Sequence, residues 1–198
     1  MSDGTGQLAK GATVLGTLAW LEGALGPAAA RRHLDRALGR HEVASLRAVE
    51  ATAEVHYAEL VALWQAIDGG LRATRPSWAA DAGAYSIDSV GQHLYAGILG
   101  KRSPNEFLEQ SVSLFRLFYR PGNMAVVDSR EQFAVLRLEG FDPLTPLFCE
   151  RQRGGLRAAL MAAGGGRCRV RHVRCSLDGD AFCEWELRWA LDETVPAG

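Results

Sequence analysis

The feature that most constrains this chain is a change of hydrophobic period at Arg120-Pro121-Gly122. Upstream, apolar residues recur at helical spacing, and downstream they fall in short strand-like runs. The upstream stripes are Val14, Leu18, Leu21 and Leu25, then Leu34 and Leu38 after Gly26-Pro27, then Val43, Leu46 and Val49. A stronger stripe joins Leu60, Leu63, Trp64, Ile67 and Leu71, with Asp68-Gly69-Gly70 as its expected stop. After a break at Thr74–Pro76, Ile87, Val90, Leu94, Tyr95 and Ile98 form another, closed by Gly100. Ser103-Pro104-Asn105-Glu106 has the pattern of a capping box with proline in the first turn. The helix it opens, Phe107–Phe118, is apolar on more than one face and reads as the central helix of the core.

Downstream, residues 124–127 and 133–139 read as one hairpin, and 167–176 and 182–189 as a second around Leu177-Asp178-Gly179-Asp180. Between them a helix begins near Pro143 and runs to about Ala163, where Gly164-Gly165-Gly166 stops it. This order predicts an α+β fold, with N-terminal helices packed on a small antiparallel sheet made of two β-hairpins flanking a helix. No repeat or low-complexity linker divides the chain. A single domain over 1–198 is expected, with a helical part at about 7–120 and a helix/hairpin part at about 121–190.

Composition excludes several functions. Lys+Arg 22 against Asp+Glu 23 leaves a net charge of -1, which offers no electrostatic basis for nucleic acid as partner. There is no run of about 18 apolar residues, so no membrane span is expected. The apolar stretch Gly11–Trp20 is interrupted by Glu22 and reads as an amphipathic helix rather than a signal peptide, which points to a cytoplasmic protein. Phosphate loop, dinucleotide fingerprint and nucleophile elbow are all missing, and no close carboxylate pair suggests acid/base work. The expectation is a protein that is not an enzyme.

All four cysteines, Cys149, Cys168, Cys175 and Cys183, lie in the last quarter of the chain. His172, Cys175 and Cys183, with Cys149 at the front of the preceding helix, are the donor types of a closed structural zinc site. A hairpin turn centred on Gly179 makes Cys175 face Cys183, Val173 face Trp185 and His172 face Glu186. In that register His172 points away from the cysteines. A bulge between His172 and Cys175 is needed to bring the ring round. Other readings remain: cysteines packed as small hydrophobes, facing cysteines that oxidise once outside the cell, and a surface pairing of His172 with Glu186. Cys168 is a spare ligand.

The segment His172-Val173-Arg174-Cys175-Ser176-Leu177-Asp178-Gly179-Asp180-Ala181-Phe182-Cys183, continuing to Trp189, resembles the 4-vinyl reductase domain superfamily. Its members include sensor domains of phenol-responsive bacterial regulators, haem–nitric-oxide-binding domains and small TRAPP subunits. Tyr119-Arg120-Pro121-Gly122 and Phe148-Cys149 make the chain look closest to an uncharacterised myxobacterial family of similar length. The resemblance implies zinc ligands at Cys149, His172, Cys175 and Cys183, with histidine in place of a carboxylate. The haem-binding branch uses a proximal histidine and a Tyr-x-Ser-x-Arg motif. That motif is not found here, His33, His41, His56 and His93 read as surface or helix-end residues, and no haem is expected. The acyl-carrying cysteine of the TRAPP branch has no counterpart before Cys149.

These readings combine into a non-enzymatic sensory or adaptor module, expected to be a homodimer that signals to a separate protein. A pocket for a small apolar ligand is expected from Phe107, Val112, Leu114, Phe115, Phe118, Phe133, Val135 and Trp185, with a filled core as the competing reading. The alternative function is a TRAPP-like adaptor for a small GTPase or polarity complex. Reduction of a tetrapyrrole vinyl group ranks last.

Overall fold

The computed structural model describes residues 6–91 and 103–190, those at 90–91 and 110–114 by their backbone alone. The predicted stripes become helices α1 (Gly11–Leu25), α2 (Pro27–Ala37), α3 (Arg40–Arg47) and α4 (Tyr57–Leu71). Val14, Leu18, Leu21, Leu34, Val43 and Leu46 are buried, as are all five apolar members of the α4 stripe. The helix α4 runs through Gly69-Gly70 instead of stopping there. A Cβ at Gly70 would sit 2.1 Å from the His33 ring, so that glycine marks the place where α2 crosses α4.

Two features are absent from the sequence reading. Three very short strands, β1 (Leu8–Lys10), β2 (Glu54–His56) and β3 (Tyr119–Arg120), form an antiparallel sheet in the order β2-β1-β3. Strands of two or three residues show no alternation to read. The other is helix α5 (Trp78–Ser86), whose buried face is Trp78, Ala79, Ala82 and Gly83. Small residues carry little hydrophobic signal. They are small because α5 lies almost backbone to backbone on helix α7 (Pro146–Ala162): a Cβ at Gly154 would come within 1.9 Å of the Ala80 carbonyl oxygen. The α5 helix then passes into a π-helical turn, Ile87–Gly91, where an α-helical stripe was expected. The stripe residues Leu94, Tyr95 and Ile98 lie outside the described residues.

Helix α6 (Pro104–Phe118) opens as the capping box predicts, with the Ser103 hydroxyl accepting from the Glu106 amide at 3.3 Å. Strands β4 (Asn123–Arg130), β5 (Phe133–Glu139), β6 (Arg169–Arg174) and β7 (Cys183–Arg188) form an antiparallel sheet in the order β4-β5-β7-β6. The fold is α+β, and its two hairpins flank α7 as expected. Gly164, at φ +85°, follows that helix in the left-handed region. Sheet and helices close over one core, in which Trp64, Trp78, Trp185, Tyr57, Phe107 and Phe148 are fully buried. No helix of the described residues is long and apolar enough to cross a membrane.

Candidate functional site

The site is built where the second hairpin meets the first turn of α7. Thr145 caps that helix, its hydroxyl accepting from the Leu147 amide, and this sets the position of Cys149 one turn in. In the hairpin, β6 and β7 pair Arg171 with Glu186 and His172 with Trp185, and the register then shifts so that Arg174 faces Glu184. The extra residue is Val173, a bulge within the segment where the sequence required one. It turns His172 to the inner face, where the imidazole stacks on Trp185 with centroids 5.0 Å apart. The expected pairing of His172 with Glu186 is replaced accordingly.

The consequence is convergence. The donor atoms of Cys149, His172, Cys175 and Cys183 all lie within 4.8 Å of one another. The Cys149 and Cys183 sulfurs are 4.0 Å apart. A tetrahedron with zinc–sulfur bonds of about 2.3 Å needs sulfurs roughly 3.8 Å apart, close to the spacing of the Cys149–Cys183 pair. The three cysteines are buried, and His172 Nε2 is a buried nitrogen with no hydrogen-bond partner among the described residues. A buried orphan of that kind is costly unless a ligand satisfies it.

A second tier of contacts holds the donors. The Cys175 amide donates to Asp180 Oδ2 at 2.9 Å, and Ser176 Oγ lies 3.4 Å from the Cys183 sulfur. Gly179, at φ +97°, allows the turn to close beneath them. The thiols share their protons unequally. The Cys149 hydrogen bond, with help from Ser176, draws the Cys183 thiol well below its ordinary value, whereas Cys149 is pushed far up by Cys183 and burial. Hydrogen bonds to Cys183 favour its thiolate, the deprotonated state a metal needs. Cys168 is not in the cluster, and its sulfur donates to the Gly165 carbonyl at 3.5 Å.

The residues expected to line a ligand pocket do not share one face. Phe107, Phe115 and Trp185 are buried and Phe118 is partly buried, while the Val112 and Leu114 side chains lie outside the described set. Phe133 and Val135 are corrected: they lie on the outer face of β5, because Ala134, Leu136 and Leu138 are its inward residues. The Phe133 ring is instead covered by the guanidiniums of Arg130 and Arg188. On the inner side, Phe115 belongs to an aromatic cluster with Tyr57, Tyr119, Phe141 and Phe148 that no local spacing announced. The Tyr57 hydroxyl donates to the Pro143 carbonyl at 2.7 Å. Burial raises both phenols, Tyr119 to about 12.

No protein-family model matches the chain, and no curated protein matches it. Solved structures do. An Fe(II) unliganded H-NOX protein from K. algicida superposes with a TM-score of 0.72 at 12% identity, covering 94% of this chain and 100% of that one. An H-NOX protein from S. oneidensis in the Fe(II)NO ligation state gives 0.70 at 12% identity, covering 91% and 99%. A mutant of T. tengcongensis H-NOX gives 0.66 at 12% identity, covering 94% and 100%. The fold is therefore that of the H-NOX, or haem–nitric-oxide-binding, domains.

This overturns the expectation that haem has no place here. That expectation rested on a short motif, whereas the fold is carried by a distributed apolar pattern that survives without it. The described histidines do not by themselves supply an axial ligand to the core. His33 Nε2 lies 3.0 Å from the Ala66 carbonyl oxygen, His41 and His56 are exposed, and His172 belongs to the sulfur cluster. His93 lies outside the described residues.

Proposed function

We propose that this chain is a sensory module without enzymatic activity, which binds a small ligand in its apolar interior and carries a structural zinc at Cys149, His172, Cys175 and Cys183. The observation that carries this reading is the convergence of four donor atoms within 4.8 Å, with the orphaned His172 nitrogen among them. Four protein donors close a zinc tetrahedron and leave no position for water, so the ion supplies cross-linking and no reaction. Cys149 ties α7 to the ribbon, while Cys175 and Cys183 hold the ribbon to itself. The helix α7 borders the aromatic interior through Phe148, so a ligand that shifts the helix also moves the hairpin. The module acts as a homodimer and passes its state to a separate signalling protein. A small GTPase, the partner implied by the likeness to TRAPP, is the first to assay by pull-down.

The H-NOX fold favours a second reading, a haem-based gas sensor. Titration of purified protein with hemin separates the two, since a Soret band saturating at one haem per chain establishes the second. For the zinc, the measurement is metal content of untagged protein, wild type against Cys175→Ser. One zinc per chain, lost in the variant, is expected; equal near-zero zinc in both overturns the site. Native mass spectrometry that finds no small molecule retained or accepted would remove the ligand-binding half.

A further inference from the structure

The strand β6 presents charges that the molecule itself does not use. It is an edge of the four-stranded sheet, and among the described residues its backbone bonds only to β7. A strand with a bare edge is a template for another extended chain. Its register sets Arg169 opposite Arg188, Arg171 opposite Glu186 and, after the bulge at Val173, Arg174 opposite Glu184. The extra residue returns a third arginine to the outer face of the sheet, so Arg169, Arg171 and Arg174 line one side of the free edge.

The carboxylates on that face are already taken. Glu186 accepts from Arg188 Nε at 2.8 Å and Glu184 from Arg137 Nε at 3.0 Å, which leaves Arg174 at 3.9 Å from Glu184. Arg169 and Arg171 are exposed and form no ion pair among the described residues. A second copy docking by its own β6 would set arginines against arginines, which opposes pairing. We propose that the β6 edge receives an extended acidic segment of a partner protein, added as a further strand with carboxylates at alternate positions facing Arg169 and Arg171. This deepens the signalling reading, on which its purpose rests, by naming the partner's chemistry. Because β6 carries His172, a strand laid there touches the element that holds the cluster.

The test is an NMR amide-shift titration of the full chain with the capped peptide Thr-Glu-Val-Glu-Val-Glu-Thr and with its glutamine and lysine counterparts. A further form, N-methylated at every Glu and Val, keeps the charges but cannot donate to a strand. The glutamate peptide is expected to bind about tenfold tighter than the glutamine one, with shifts centred on residues 169–174, and the methylated form not to bind. The double variant Arg169→Glu, Arg171→Glu should lose that preference and take the lysine peptide instead. No binding of any peptide at millimolar concentration, equal binding of the glutamate and glutamine peptides, or binding that survives methylation overturns the edge. Displacement of the peptide by a single-stranded oligonucleotide of equal charge at lower concentration overturns the peptide assignment. Should the double variant lose zinc or fail to fold, Arg169→Glu alone, further from His172, decides by the same preference. Zinc-loaded and chelated chains that bind the glutamate peptide alike support the edge and sever it from the sensor reading.

Discussion

At the scale of single residues, the groups that give this protein its character are polar atoms buried without ordinary partners. Asp180 is not one of the four clustered donors, yet it fixes Cys175 by accepting from its amide. Asp180→Ala is expected to weaken zinc binding by about 10–100-fold, as loss of an outer hydrogen bond does, measured by competition with a chromophoric chelator. Tyr119 predicts alkaline behaviour. Its phenol is raised to about 12 by burial, above an unfolded value of about 10, so its protonated form favours the native state. The contribution is complete below pH 10 and is lost as pH rises toward 12, because the unfolded chain ionises first. Denaturant unfolding from pH 9 upward should therefore show a steeper loss of stability in wild type than in Tyr119→Phe.

Elements here are held as much by absent side chains as by present ones. The α5–α7 contact leaves no room for a methyl group at Gly154, whose Cβ would meet backbone rather than a flexible tip. Gly154→Ala must separate the helices and is expected to cost about 1–3 kcal/mol, seen as a lower denaturation midpoint. Leu63, fully buried on α4, is the opposite case: Leu63→Ala leaves a cavity and should cost about 2–5 kcal/mol. This contrast explains what was legible. The α4 stripe was read correctly because large apolar residues repeat at the helical period. The helix α5 escaped because its buried face is alanine and glycine, and the three-stranded sheet escaped because its strands are too short to repeat anything. The outward orientation of Phe133 was missed for a related reason: arginine stems from neighbouring strands cover the ring, so an apolar residue need not point inward.

Across the whole molecule, the sulfur–imidazole cluster joins parts distant in sequence, residue 149 on a helix and 172–183 on a ribbon. Chelation of bound zinc is expected to lower the melting temperature and to raise amide exchange at 169–188 and in the first turn of α7. Exchange in α1 and α4 should change less, since their packing is independent of the metal. Acid should act in the same direction, because falling pH protonates the ligands and releases the ion. Uniform exchange throughout the chain on chelation would contradict a local clamp.

The amino-acid order alone determined the α+β class, the large-residue helices, the two hairpins that flank α7, and the cysteine and histidine positions offered as a cluster. Those follow from period, capping and turn chemistry, which act over a few residues and are written in neighbouring letters. Tertiary packing alone decided that His172 turns inward past a bulge and that α5 and α7 touch through glycines. It also decided that Arg151, one arginine among many, lies buried against Trp64 without a counter-charge among the described residues. Burial is a property of the assembled core, and nothing in a residue's neighbours along the chain records which distant surfaces will close over it.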